Sequence, residues 1–145
     1  RPQRTWLLAG ESSPARPVTP EGVAARYPWV TRDGTAVVGS SGPSLALYPV
    51  AGGEPVPLLG VGAGERLAGW GPSADSVYAH DPTDIPTTVY RVDLATGARS
   101  TVYRVGPTDL AGVRNVEVFV TPDGLRYAFE VHEVQQEIHV ANGLR

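Results

Sequence analysis

Short runs that alternate apolar and polar positions recur along the chain, separated by turns rich in Gly, Pro and Asp. The clearest is Thr88-Val89-Tyr90-Arg91-Val92-Asp93-Leu94. Its period of two sends successive side chains to opposite faces, the signature of a strand. In the middle of the chain Arg66 to Trp70, Ser76 to His80, Thr88 to Leu94 and Ser100 to Arg104 read as four consecutive strands. Four more precede them: Tyr27 to Thr31, Ala36 to Ser40, Leu45 to Val50 and Glu54 to Leu59. Three follow: Val116 to Thr121, Arg126 to His132 and Glu137 to Ala141. Arg4 to Gly10 and Ala15 to Pro20 read as a further pair at the start. Tyr127, Val131, Val134 and Ile138 also satisfy helical spacing. The repeats place a hairpin there instead.

Those repeats are built on two landmarks. Trp29-Val30-Thr31-Arg32-Asp33-Gly34, Trp70-Gly71-Pro72-Ser73-Ala74-Asp75 and Phe119-Val120-Thr121-Pro122-Asp123-Gly124 each run from an aromatic residue into a turn. Ala51-Gly52-Gly53, Ala95-Thr96-Gly97 and Ala141-Asn142-Gly143 each close a later strand. Trp29 to Gly53 and Phe119 to Gly143 are both 24 residues, and Trp70 to Gly97 is 27, with the surplus in the Pro-rich stretch His80 to Pro86. The aromatic anchors lie 41 and 49 residues apart, which brackets the roughly 40–50 residue period of four-stranded propeller blades. The pattern predicts an all-β fold, a partial β-propeller of about three four-stranded antiparallel blades. Residues 1–22 end one blade, 23–64 and 65–112 form two, and 113–145 form an incomplete last one. Trp29, Trp70 and Phe119 are expected to pack between blades, and Trp6, outside that register, to be partly exposed.

Composition narrows the function classes. The chain has 145 residues, 41% hydrophobic and 19% charged, enough for a core and unlike a disordered polyelectrolyte. With no Cys, disulfides, thiolate chemistry and Cys-ligated zinc are excluded. The 12 basic residues are all Arg and are dispersed, and the formal charge is −3. A phosphate-binding groove needs a concentrated basic face, so no nucleic-acid partner is expected. No apolar run approaches the roughly 18 residues of a membrane-spanning helix, so no direct membrane insertion is expected.

Candidate chemistry is sparse. Gly39-Ser40-Ser41-Gly42 has the wrong spacing for a Gly-x-Ser-x-Gly nucleophile. His132-Glu133 opens like a zincin motif, but the position four residues on is Gln136. His132 and His139, near Glu130 or Glu137, are the only candidate pair for a divalent ion, and His80 stands apart. All three His are expected on solvent-facing strand positions. Gly60-Val61-Gly62-Ala63-Gly64 has Glu65 where a dinucleotide fingerprint wants its third Gly, and reads as a flexible linker between blades. Asp81, Asp84, Asp33 and Asp123 lack calcium-loop spacing. Asp33 and Asp123 are expected to accept backbone N–H groups inside their own turns. No catalytic, cofactor or metal residue is assigned. The insertion carrying Asp81, Pro82, Asp84, Ile85 and Pro86 is the candidate interaction loop, stiffened by its prolines and solvated by its carboxylates.

Thr121-Pro122-Asp123-Gly124-Leu125-Arg126-Tyr127-Ala128-Phe129 resembles the repeat of the TolB-like, WD40-like (PD40) propellers, a Pro-Asp-Gly turn between two inner strands. Val89 to Gly97 is similar to that family's third strand and turn, Ala15 to Gly22 to its exit into the next blade. Ile138 to Arg145 is similar to the last strand of propellers appended to bacterial serine/threonine protein kinases. Two repeats depart from the pattern, with Arg32 in place of Pro and Ala74-Asp75 in place of Asp-Gly. The resemblance implies a non-catalytic binding or sensor module in a larger signalling or envelope protein. Its partners would be the remaining blades or another protein chain. The alternatives are the gating propeller of a prolyl-oligopeptidase-type hydrolase and a half-propeller that pairs with a second copy to close the ring.

Overall fold

The computed structural model describes residues 3–8, 10 and 13–134, with the backbone alone for residues 26–29. Among them every regular element is a strand: β1 (Trp6–Leu7), β2 (Arg16–Pro17), β3 (Ala24–Val30), β4 (Ala36–Ser41), β5 (Ser44–Pro49), β6 (Val56–Pro57), β7 (Arg66–Trp70), β8 (Ser76–His80), β9 (Thr87–Asp93), β10 (Arg99–Val105), β11 (Val113–Val120) and β12 (Tyr127–Glu133). They form four antiparallel sheets in chain order: β1-β2, β3-β4-β5-β6, β7-β8-β9-β10 and β11-β12. Each sheet is a meander of sequential neighbours, and the whole is an all-β fold of the partial-propeller kind. Residues 127–133 are a strand and not a helix. The expected strand Glu137 to Ala141, with its landmark Ala141-Asn142-Gly143, lies outside the described residues.

The first hairpin of each later sheet is closed by one device used three times. The N–H of Thr31 donates to Ala36 O, that of Gly71 to Ser76 O and that of Thr121 to Arg126 O. In the first and third turns the Thr hydroxyl accepts the N–H of Ala36 or Arg126 from the opposite strand, which leaves its proton for the turn's own carboxylate, Asp33 or Asp123. Asp33 and Asp123 accept the N–H of Thr35 and Leu125, the turn-internal bonds expected of them. In the middle turn Ser73 stands at the Asp position and Ala74 at the Gly position, with Ser73 and Ser76 bonded to each other.

This register corrects the repeat alignment. Val30 pairs with Val37, Trp70 with Val77 and Val120 with Tyr127. Trp70 therefore corresponds to Val30 and Val120, and the position of Trp29 and Phe119 corresponds to Gly69. Because side chains alternate along a strand, a slip of one residue exchanges the faces. Phe119 is accordingly 37% exposed between the buried Val118 and Val120, on the face of β11 away from them, and the Trp29 side chain lies outside the described residues. Trp70 packs between sheets as expected: it lies against the cluster of Val38, Leu67 and Val77, and its Nε1 donates to Val30 O at 3.1 Å. Gly69 has its own reason, since a Cβ there would sit 2.5 Å from Val120 O of the neighbouring sheet.

The core has two parts, one on each face of the β7–β10 sheet. Val77, Ala79, Leu67 and Val92 pack toward Val38 and Leu58 of the preceding sheet. Tyr78, Val89, Ala68 and Val105 pack toward Val116, Val118 and Val120 of the following one. Every residue of β8 is buried. β9 alternates as its sequence requires, but both of its faces are covered, because its sheet is flanked on both sides. Trp6 is 56% exposed, in line with its place outside the repeat register.

A cleft where three sheets meet

The segment before β7 carries the bonds that shape the site. Glu65 Oε2 accepts the Gly62 N–H at 2.6 Å, and Arg99 grips the same carboxylate through both Nη atoms at 3.1 and 2.6 Å. Arg99 also lies over the Tyr90 ring, 4.0 Å from its centroid. The expected linker 60–64 is thus tied at Gly62, and Gly64 N–H bonds to Pro43 O. An internal carboxylate holds the amide that a bound anion would otherwise claim.

Next to Glu65, Arg66 reaches across to ion-pair with Glu117 on β11. β7 and β11 lie side by side, and a cleft of about 440 Å³ opens there. Its apolar wall includes Val38, Leu45, Leu67 and Phe119, and its polar side carries Glu65, Glu117, Glu130 and His132. The β11–β12 register explains the last sheet's share. Glu117 pairs with Glu130, Phe119 with Ala128 and Asn115 with His132, so these side chains stand on the face opposite Val116, Val118 and Val120. Of the cleft's carboxylates, Glu65 is held by Arg99 and Glu117 by Arg66. Among the described residues Glu130 has only the His132 ring, 3.9 Å away, beside its charge.

The His expectation divides. His132 is half exposed on β12, and His139 lies outside the described residues. His80 is 0% exposed, which overturns a solvent-facing position for it. The strand that bears it has sheet neighbours on both sides and the β11–β12 sheet over its face, so no solvent side remains. Its Nε2 accepts the Val118 N–H at 3.4 Å, which places the neutral ring's proton on Nδ1. Burial, with the Arg66 guanidinium adding to it, pulls its pKa down to about 4. No group of three or more His, Asp or Glu among the described residues is arranged to hold a metal ion.

The candidate interaction loop is only partly a surface. Asp81 is exposed and accepts the N–H and hydroxyl of Thr83 at 2.8 and 2.7 Å, which holds its carboxyl below the usual range. Asp84 is exposed as well. Pro82 is buried, and its carbonyl accepts the Val116 N–H of β11 at 2.9 Å. Ile85 packs on the second core, and the Ile85–Pro86 peptide is cis. Pro86 packs against Gly106, where an added Cβ would lie 3.0 Å from the proline ring. The loop braces two sheets and shows solvent its carboxylates. The cleft was missed in the sequence because its parts are spread from Val38 to His132. The one local signal was Glu-Arg at 65–66, an acid–base pair placed where a strand begins. The chain was compared with family models, curated proteins and solved structures, and none matches it.

Proposed function

We propose that the chain is a binding module of a propeller, related to the TolB-like repeat, whose cleft takes a protein segment presenting a cation beside an aliphatic or aromatic group. One observation carries this reading: among the described residues Glu130 faces the cleft without an Arg partner, while the other two carboxylates each have one, and an apolar wall stands opposite. An Arg or Lys side chain of a partner would complete the charge pairing, and its neighbour would cover Leu45 and Phe119. The Arg66–Glu117 and Arg99–Glu65 pairs keep the walls in place and hold the cleft to one uncompensated charge. Binding, and not turnover, is the task this arrangement suits, with the propeller serving as a sensor or docking part of a larger protein.

The test is a titration, followed by NMR, with short peptides that place Arg beside Leu or Phe, alongside matched peptides with Glu for Arg. The Arg peptides are expected to shift the resonances of Phe119 and His132 and to weaken with salt. Glu130→Gln is expected to weaken them about tenfold, the scale of one charged contact. Equal binding by the Glu peptides would overturn the reading. So would hydrolase turnover lost in His132→Ala.

A further inference from the structure

We infer that Phe119 selects Arg over Lys in the cleft, its ring stacking against the guanidinium that Glu130 pairs with. The inference rests on the cleft reading above and decides which of its two cations fits. The chain contains a worked example of the arrangement. Arg99 lies over the Tyr90 ring, 4.0 Å from its centroid, and grips the Glu65 carboxylate through both Nη atoms at 3.1 and 2.6 Å. Ring, guanidinium and carboxylate form one unit there, and this chain supplies all three members.

The β11–β12 hairpin holds a ring and a carboxylate in a matching relation. Phe119 pairs with Ala128 and Glu117 with Glu130. Glu130 is therefore the diagonal neighbour of Phe119 on one face of the hairpin, at a spacing of about 7–8 Å that a long side chain spans. Both residues line the cleft. Directly across from Phe119 stands the exposed Ala128, whose methyl group is too small to cover the ring. The charges call for the middle member. Glu117 and Glu130 stand directly opposite each other, where like charges repel. Arg66 answers Glu117, and among the described residues only the His132 ring, 3.9 Å away, stands beside the charge of Glu130. A guanidinium meets both groups at once. It is planar, so it lies flat on a ring as Arg99 lies on Tyr90, while its N–H fork faces both carboxylate oxygens. The ammonium of Lys is a compact, strongly hydrated charge that pairs with the carboxylate and gains less from the ring. Glu130 thus attracts either cation, and Phe119 makes the difference between them.

The test titrates the full chain, followed by NMR, with two peptides that differ only in Arg or Lys beside Leu, and with a citrulline peptide as the planar, uncharged control. The Arg peptide is expected to bind about fivefold more tightly than the Lys peptide, and the citrulline peptide more weakly than either. Phe119→Leu keeps an apolar side chain and should bring the Arg and Lys affinities together, whereas Phe119→Tyr keeps a ring and should preserve the difference. Ala128→Leu covers the ring from the neighbouring strand and should also remove the difference, which keeps the test decisive if Phe119→Leu loosens the sheet. Equal affinities for Arg and Lys in the unmodified chain would overturn the inference and leave the cleft reading standing. So would a preference for Arg that survives Phe119→Leu and Ala128→Leu. No shift at Phe119 or His132 with either peptide would overturn both.

Discussion

At His80 a single ring links pH to stability. Its pKa is about 4 in the folded chain, against 6.5 for an ordinary His. Between those values the unfolded chain binds a proton that the folded chain does not, so this contribution is whole above pH 6.5 and shrinks as pH falls toward 4. By pH 5 the loss comes to about 2 kcal/mol, since one pKa unit is worth about 1.4 kcal/mol. Urea unfolding at pH 7.5 and pH 5 should show that drop in the wild type and lack it in His80→Leu; equal drops in both would refute the assignment. Asp33 is the opposite case, fully on the surface. The Thr31 hydroxyl first, then the Thr35 amide and hydroxyl, hold its carboxyl down to about 2. Thr31→Val should move the Asp33 midpoint upward in an NMR titration, and an unchanged midpoint would remove Thr31 from the turn's chemistry. Asp33 could be read from the sequence because an Asp-Gly turn acts on its own neighbours. His80 could not, because its environment comes from β11, nearly forty residues away.

The strands themselves were legible, most clearly β7 and β8, since alternation and turn dipeptides act within a few residues. The register between repeats was not. Trp70 drew the alignment to itself, whereas the structure aligns the repeats on the turn bonds of Thr31, Gly71 and Thr121. The repeats also differ in what surrounds the same turn glycine. Gly34 and Gly124 have nearly the same positive φ, 72° and 70°. A Cβ at Gly34 meets nothing within 4 Å, while one at Gly124 would collide with the Tyr78 hydroxyl. Gly34→Ala should cost about 1 kcal/mol from the backbone alone. Gly124→Ala should cost about 1–3 kcal/mol more by thermal melting, because the buried Tyr78 ring has no room to retreat. Equal costs would mean that Tyr78 does move aside.

Across the whole molecule the β7–β10 sheet carries both cores. Amide hydrogens of β8 should exchange slowest of all and those of β1 and β12 much faster, as native-state exchange would record. Val77→Ala and Val89→Ala, on opposite faces of that sheet, should each cost on the order of 2 kcal/mol, the worth of a fully buried Val. The all-β, multi-sheet plan was visible from the repeats. The cleft was not, for it exists only where β4, β7 and β11 converge.

β8 is a partition one strand thick. Val77 belongs to one compartment and Tyr78, the next residue, to the other. Tyr78 in turn stands against the Gly124 turn, and the Tyr103 hydroxyl donates to Gly124 O. A larger side chain at Val77 is therefore expected to reach the hairpin bearing Glu130 and His132 by way of Tyr78, through close-packed contacts alone.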